Sequence, residues 1–255
     1  MGSEKRFGYE WNKYSEIDPN YEVQFLKWIY PLQPEDFKGK KVLDAGCGMG
    51  RNSYWALKYG AGDLVAFDFD QRSVAAAKRN LSGFKDVQVE FRNIYDLPWQ
   101  NEFDLVFSIG VIHHLENHGE AIKNLIRAAK PGGRILLWVY GHEGNEWIVK
   151  LVSPVRKFLT SKLPVGLVHL LSYLASAPLW AWVKIFHGPG PYLKQLSGFS
   201  FYHIHSIVFD QLIPKIAHYW TKEEARSLLS SFEELKDIEI HQVNSNSWTV
   251  LGEKK

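Results

Sequence analysis

The sequence predicts an α/β protein built on a doubly wound, mostly parallel sheet of seven strands. Between residues 40 and 140, short apolar runs alternate with helical segments, and a glycine-rich turn follows the first run. Two further apolar runs close the chain around a polar turn. Strands separated by helices of this length need crossover connections and pair in parallel, whereas a terminal hairpin adds an antiparallel pair.

The first half of the chain supplies the parallel strands and their helices. Strands are predicted at 41–44, 64–67, 87–91, 103–108 and 134–140, and helices at 21–30, 51–59, 71–81 and 120–130. Gly60 follows one of these helices, and glycine ends a helix at low steric cost. The turn Pro131-Gly132-Gly133 ends another, because proline cannot continue the helical hydrogen bonding.

The second half begins with an aromatic-rich stretch, interrupted by Pro and Gly, that predicts a helical lid insertion. Thr221 and Glu224 then form a capping box, which predicts a helix at 221–230. Strands at 235–243 and 247–252 flank a polar turn and form the hairpin. The predicted domains are a cap with the first helix at 1–39, a core at 40–144, the lid at 145–216, and a last helix with two strands at 217–255.

Composition excludes some classes of function. The 255 residues include 30 Lys and Arg against 28 Asp and Glu, and the net charge of +2 gives no strong signal for a nucleic-acid partner. Cys47 is the single cysteine, so neither an intramolecular disulfide nor a multi-cysteine zinc site can form. We expect a cytoplasmic protein, with no metal site.

The segment 163–186 is apolar and approaches the length of a membrane span. Pro164, Gly166 and Pro178 interrupt it. We therefore predict two helices of a lid or of an element that lies on a membrane surface, and we disfavour a transmembrane helix. Peripheral membrane contact through 163–186 is the corresponding expectation.

The turn after the first strand reads Asp44-Ala45-Gly46-Cys47-Gly48-Met49-Gly50. Glycines at alternate positions let the backbone approach a ligand closely, and ligands bind beyond the carboxyl ends of parallel strands. An ordinary tight turn would explain the glycines alone. The preceding carboxylate would repel a phosphate but suits a cationic ligand.

These residues resemble the DxGxGxG motif of the class I S-adenosylmethionine-dependent methyltransferases, whose core is Rossmann-like. The resemblance implies S-adenosylmethionine as cofactor, with Gly46, Gly48 and Gly50 along its methionine part. It also implies that Asp44 holds the turn and reaches the ammonium group. Cys47 is interpreted as a small packing residue in the site.

Further motifs of that family extend the predicted cofactor site. Asp68 ends the second strand, where the family places an acid that accepts both ribose hydroxyls; Asp70 is better placed to cap the next helix. Phe69 would pack on adenine or act as a hydrophobic staple. The resemblance also implies contacts from Asn93, where the family usually has Asp, and from Ile94, Ser108 and Ile109.

Candidates for chemistry follow the fourth strand and lie in the lid. His113 and His114 are candidate bases, since imidazole titrates near neutral pH; packing or helix capping is the alternative. For the acceptor pocket, candidates are Tyr14, His142, Tyr202, His203 and His205. We place His203 and His205 on an extended segment, as surface residues or as polar contacts to substrate. Tyr14 closes an N-terminal aromatic run that would cover the cofactor or anchor the first helix.

Three functions remain open. The first is methyl transfer to a small-molecule or lipid-like acceptor, because the insertion is as apolar as a small-ligand pocket. The second is methylation of RNA or protein, which a basic surface would indicate. The third is a non-catalytic module that binds S-adenosylmethionine. We favour the first.

Overall fold

A computed structural model describes residues 4–186 and 191–255. In it, helices cover both faces of one seven-stranded sheet. The strands are β1 (Lys41–Ala45), β2 (Asp63–Asp68), β3 (Val87–Phe91), β4 (Phe103–Ile109), β5 (Ala129–Tyr140), β6 (Leu235–Val243) and β7 (Ser247–Lys254). The main helices are α1 (Glu4–Lys13), α2 (Asn20–Ile29), α3 (Arg51–Lys58), α4 (Gln71–Asn80), α5 (His118–Ala128), α6 (Ser153–Val155), α7 (Val165–Phe186), α8 (Pro191–Ser197), α9 (Phe201–Leu212) and α10 (Lys222–Ser230).

The strand order is β3-β2-β1-β4-β5-β7-β6. Strands β1 to β5 pair in parallel, whereas β7 runs antiparallel between β5 and β6. The predicted fold class is therefore confirmed, including the C-terminal hairpin. Its turn places Asn244 and Ser245 at positive φ, a conformation that short polar residues tolerate.

Alternation along each strand divides the core between the two faces of the sheet. On β1, Leu43 faces one apolar cluster, which contains Trp99 and Leu125. Its neighbour Val42 faces the other cluster, which contains Phe25 and Phe107. Both faces of the parallel strands are thus buried, as helices on two sides of a sheet require. The carboxyl ends of β1, β2 and β4 meet at one edge, which the turn after β1 crosses.

The insertion, residues 145–216, lies between β5 and α10. It begins with the π-helical turns Ile148–Val152 and Arg156–Thr160 around α6 and continues through α7, α8 and α9. The prediction of two helices in 163–186 is wrong, because α7 is one helix that continues through Pro178. An interior proline costs roughly 3 kcal/mol, and packing of α7 against α8 and α9 offsets that cost.

Helix α7 is long and apolar enough to cross a membrane, by length and composition only. In its most apolar 18-residue window, 22% is buried inside the protein. Leu170 and Leu174 are 64% and 76% exposed, so the helix leaves an apolar outer face uncovered by the described residues.

The segment 200–206 is also helical, at the start of α9, and the predicted extended conformation is wrong. His203 and His205 are 6% and 2% exposed, so they are buried rather than surface residues. His205 belongs to a hydrogen-bond chain that joins α1, α7 and α9. Tyr14 Oη lies 2.7 Å from His205 Nδ1 and 2.9 Å from His169 Nε2.

Neighbouring bonds fix the direction of this chain. Ser172 donates to the His169 carbonyl at 2.7 Å and therefore accepts from His205 Nε2 at 2.6 Å. His205 Nδ1 is then an acceptor, so the Tyr14 hydroxyl donates to it and accepts from His169 Nε2–H. Burial lowers the pKa of His169 to about 4, which keeps this imidazole neutral at neutral pH.

Replacing Tyr14 with Phe would leave two buried imidazole nitrogens unsatisfied. We expect Y14F to lower the free energy of unfolding, measured in urea, by about 1–3 kcal/mol. The control is Y30F, because Tyr30 is 50% exposed and such a change costs less than about 0.5 kcal/mol. Equal stability of Y14F and Y30F would contradict the hydrogen-bond chain.

Candidate functional site

The turn after β1 is built from glycines that no other residue could replace without strain. Gly46, Gly48 and Gly50 have φ values of +84°, +54° and +86°. A Cβ on Gly46 would lie 2.4 Å from Val111 Cγ2. The N–H groups of Gly46 and Cys47 both donate to the Phe67 carbonyl at 2.9 Å. The turn is therefore fixed to the end of β2.

Asp44 lies beneath this turn and is 1% exposed. Ser53 Oγ donates to its Oδ2 at 2.6 Å, while Oδ1 has no hydrogen-bond partner among the described residues. Burial raises the pKa of this carboxyl to about 7. The unpartnered oxygen fits a ligand that brings positive charge, but Asp44 itself is not among the described residues that line the cavity beside the turn.

Asp68 ends β2 at the rim of the same site. Its Oδ2 accepts from the Gly48 N–H and its Oδ1 from the Asp70 N–H, both at 3.0 Å. Burial raises its pKa to about 6. Asp70 is the residue that caps α4, because its side chain accepts from the Arg72 N–H at 2.8 Å. Each Asp68 oxygen keeps a lone pair for a ligand hydroxyl.

The other predicted cofactor contacts divide into two groups. Phe69, Asn93, Ile94 and Ile109 line one continuous cavity together with the glycine turn. The Phe69 ring stacks on Phe91 at 5.4 Å, and 45% of Phe69 is exposed. Asn93 Oδ1 accepts from the Tyr95 N–H at 3.1 Å, so the oxygen expected to contact adenine already serves a turn.

Ser108 and Cys47 have structural surroundings. Ser108 is fully buried, donates to the Ala45 carbonyl at 2.9 Å and is not among the described residues that line the cavity. Its hydroxyl joins β4 to β1 rather than facing the site. Cys47 lines the cavity but is 4% exposed, and burial raises the pKa of its thiol. It packs in the turn, as expected.

The cavity has a volume of about 1220 Å³. A pocket for one drug-sized ligand is roughly 300–1,000 Å³, so this cavity has room for a nucleoside cofactor and a second molecule. One end is formed by the glycine turn, Asp68 and Phe69. Apolar side chains of the insertion, Leu179 and Leu196, line the same cavity and pack in one cluster with Met49 of the glycine turn.

The two histidines after β4 differ in position. His113 is fully buried, its ring stacks on Tyr140 at 3.7 Å, and it is not among the described residues that line the cavity. This placement contradicts its expected role as base. His114 lines the cavity and its Nδ1 lies 2.8 Å from the Ile216 carbonyl. The carbonyl fixes the proton on Nδ1, and burial lowers the pKa of His114 to about 3.

The expected acceptor contacts are corrected by the structure. None of the five is among the described residues that line the cavity: Tyr14, His142, Tyr202, His203 and His205. Tyr202 donates to the Lys13 carbonyl at 2.7 Å, and His203 Nδ1 lies 2.9 Å from Ser200 Oγ. The Tyr202 bond joins α1 to α9, whereas the His203 contact lies within the first turn of α9. Within residues 4–186 and 191–255, no group of three His, Cys, Asp or Glu is placed to hold a metal ion.

Several polar residues that line the cavity could not be assigned to the site from the sequence, among them Glu10, Arg51, Tyr140 and Asp210. The Arg51 guanidinium lies 4.8 Å from the Tyr21 ring centroid and 5.2 Å from that of Trp28. Arg51 directly follows the glycine turn, so its position was a usable signal. Glu10 and Asp210 are 200 positions apart, and no local pattern joins them.

Helix α1 covers the glycine turn. A Cβ on Gly48 would lie 3.1 Å from Trp11 Nε1, and a Cβ on Gly8 would lie 1.9 Å from the Asp70 carboxyl carbon. Only glycine allows both approaches. The cofactor end of the cavity is thus closed by a helix packed directly on its turn.

This fold, with a glycine turn between two acids at the carboxyl edge of a parallel sheet, defines a class I S-adenosylmethionine-dependent methyltransferase. Residues 36–148 match the family model described as a methyltransferase domain. The chain belongs to this class of enzymes, and S-adenosylmethionine is its cofactor. Asp44 with its unpartnered oxygen, the glycine turn and Asp68 fit a cationic nucleoside.

The chain is similar to a ubiquinone biosynthesis O-methyltransferase of Pseudomonas putida, strain GB-1. The two are 26% identical over 199 residues, which cover 75% of this chain and 81% of the relative. A structure of an S-adenosylmethionine-dependent methyltransferase from Aquifex aeolicus has a TM-score of 0.55 at 16% identity and covers 94% of this chain and 95% of that one. Magnesium protoporphyrin IX methyltransferase from Synechocystis, solved with S-adenosylhomocysteine bound, has a TM-score of 0.56 at 14% identity, covering 94% and 85% of the two chains.

Asp68 offers a direct test of the cofactor site. We expect D68A to weaken binding of S-adenosylhomocysteine, measured by calorimetry, by about tenfold to a hundredfold, because two charge-assisted hydrogen bonds are lost. The matched control is D86A, since Asp86 is exposed just before β3 and should leave the dissociation constant unchanged. If D68A and D86A bound S-adenosylhomocysteine with equal affinity, Asp68 would not be a cofactor contact.

Proposed function

We propose that the protein transfers a methyl group to a small-molecule acceptor with an apolar body. The cavity is the observation that carries this proposal, because the glycine turn and the apolar insertion side chains line the same space. A molecule bound against Leu179, Leu196 and Ile207 would lie beside the cofactor end. Contact with this apolar wall selects for hydrophobic surface in the acceptor.

When bound, S-adenosylmethionine supplies an electrophilic methyl group. The chain has to align the acceptor with that group and exclude water. Asp44 and Asp68 would hold the two ends of the nucleoside, while Trp11 and the rest of α1 close the site above the turn. Asn93 and Ile94 would contact the adenine ring, and Ile109 the methionine part.

The relatives are consistent with this class of acceptor. The Pseudomonas relative is named for ubiquinone biosynthesis and for transfer to oxygen, which fits an acceptor that combines an apolar body with a hydroxyl. Methylation of RNA or protein is disfavoured, because α1 and the insertion close over the cavity. Under this proposal, the insertion is a lid that determines the acceptor.

The acceptor class can be tested with methyl-labelled S-adenosylmethionine and a cell extract separated into lipid, small-molecule, RNA and protein pools. We expect label in the lipid or apolar small-molecule pool. L179R should abolish labelling by placing a cation in the apolar wall of the cavity, while its circular-dichroism spectrum stays that of the parent. The control is V23R, because Val23 is an apolar residue 52% exposed on α2.

Two other outcomes would contradict the proposal. Label in the RNA or protein pool alone would show that the acceptor is RNA or protein rather than an apolar small molecule. Absence of label from every pool, in a protein that binds the cofactor, would favour the non-catalytic module instead.

We further propose that the outer face of the insertion contacts an anionic membrane surface. Residues 147–209 contain no Asp or Glu, and besides the buried Arg156 they include five exposed basic residues: Lys150, Lys157, Lys162, Lys184 and Lys194. Trp147, Phe158, Leu170, Leu174 and Ile185 are each more than 50% exposed among them. Apolar side chains flanked by cations suit the boundary between acyl chains and anionic headgroups.

Helix α7 connects this face with the cavity. Ala175 and Leu179 line the cavity, while Leu170 and Leu174 are exposed outside. A lipid-like acceptor would then need to pass only one helix between the membrane and the site. This supports peripheral attachment of a cytoplasmic enzyme through 163–186.

Co-sedimentation with vesicles tests the attachment. We expect binding to vesicles that contain phosphatidylglycerol, weaker binding to pure phosphatidylcholine, and a decrease with salt, since each Lys or Arg near the surface contributes roughly 1 kcal/mol. The double variant L170E/L174E should stay in the supernatant. V23E serves as the control. A parent protein that never sediments with anionic vesicles would refute the attachment.

A further inference from the structure

Asp210 lies on α9 where the insertion meets the end of β5. It lines the cavity and is half-buried. Tyr140 Oη donates to Asp210 Oδ2 at 3.1 Å, and Gln211 Nε2 donates to Tyr140 Oη at 3.3 Å. Because Gln211 occupies a lone pair of the Tyr140 oxygen, the Tyr140 proton is directed at the carboxylate.

Glu10 lies behind Asp210 and is fully buried. Ser206 Oγ donates to Glu10 Oε1 at 3.0 Å, and Oε2 has no hydrogen-bond partner within the described residues. Ser206 and Asp210 are one turn apart on α9, so the Glu10 carboxyl lies beside that of Asp210, and each affects the pKa of the other. Two buried carboxyls in contact cannot both be ionised, so one of them keeps a proton.

Solvation decides which group keeps the proton. Burial raises the pKa of Glu10 well above its usual range, and the nearby Asp210 charge raises it further. Burial raises the pKa of Asp210 to about 6, while hydrogen bonds from Tyr140 and Glu10 oppose that rise. At neutral pH, Glu10 is therefore the protonated member of the pair, beside an ionised Asp210.

Other charged and titratable groups face this pair from every side. They are Tyr14 directly after α1, Tyr21 on α2, Arg51 on α3, Tyr140 on β5, and Arg156 and Tyr219 beside α9. Arg51 and Arg156 both lower the pKa of Asp210. The two arginines keep the single negative charge of the pair stable at neutral pH.

We propose that Asp210 is the catalytic base that accepts the proton of the acceptor hydroxyl, and that Glu10 is a positioning residue that holds the Asp210 carboxylate. The inference rests on the proposed function and names the reacting group of the acceptor as an O–H, such as a phenol. The acceptor oxygen forms a bond to the methyl carbon, the sulfur–methyl bond breaks with its electron pair left on sulfur, and the hydroxyl proton passes to Asp210.

The alternative bases after β4 are less suited to this step. His113 does not line the cavity among the described residues. His114 does, but its pKa of about 3 makes it a weak proton acceptor. A catalytic base works best when its pKa lies near the operating pH, and Asp210 is the closer match.

The test uses full-length protein, methyl-labelled S-adenosylmethionine and the acceptor pool labelled by the parent, with dodecyl gallate as a defined phenolic probe. For the parent, we expect kcat to fall as pH decreases through about 6, as Asp210 becomes protonated. D210N should lower kcat by about 10²- to 10⁴-fold and remove that acidic limb. Its affinity for S-adenosylhomocysteine should equal that of the parent, which shows that it folds.

Glu10 variants separate positioning from a merely structural role. E10A removes a hydrogen bond that lowers the pKa of Asp210, so the acidic limb should move to higher pH. E10Q keeps a hydrogen-bond donor at position 10. It should return the acidic limb of the pH profile to its position in the parent and restore most of the kcat lost in E10A. Difference infrared spectroscopy should also show a buried protonated carboxyl at pH 7 that is absent in E10Q, whether or not an acceptor is present.

Each outcome supports or overturns a separate claim. If kcat of D210N stays within about threefold of the parent value, Asp210 is not the base, since loss of a general base lowers kcat by about 10²-fold or more. This result would leave the proposed function intact. Absence of the protonated carboxyl band overturns the assignment of Glu10. A parent that binds the cofactor but labels neither the pool nor dodecyl gallate overturns the proposed function, and this inference with it.

Discussion

The carbonyl of Phe67 accepts two backbone N–H groups, those of Gly46 and Cys47. This shared acceptor holds the turn after β1 against the end of β2. It brings Asp44 and Asp68 to opposite sides of one backbone, and Asp68 adds a bond to the Gly48 N–H. Since α1 packs on the same turn through Trp11, the closure of the cavity depends on this bend as well.

The sequence was sufficient where structure depends on neighbours in the chain. The strand β1, the cap at Asp70 and the capping box at Thr221 all depend on local patterns, and each appears in the structure as predicted. The glycine turn belongs to the same class. Positive φ at Gly46 follows from the bend itself and needs no knowledge of distant residues.

The insertion could not be predicted as well, because its structure depends on tertiary packing. Pro178 predicted a break in the helix, yet α7 continues through Pro178 and packs against α8 and α9. His205 was expected at the surface, but it is buried. Tyr14 and Ser172, from other parts of the chain, hydrogen-bond both of its ring nitrogens, so no polar atom of the ring is left without a partner. Likewise, the pairing of Glu10 with Asp210 arises only when α1 and α9 meet.

The cavity wall carries several indole rings. Trp11, Trp28, Trp138 and Trp147 line it, and the Trp28 and Trp138 rings lie 4.6 Å apart. Indole emission responds to changes in polarity and to nearby chromophores. Entry of a nucleoside or of an aromatic acceptor would therefore register as an intrinsic optical signal, without a dye or a label, and the two ends of the cavity could be followed in the same sample.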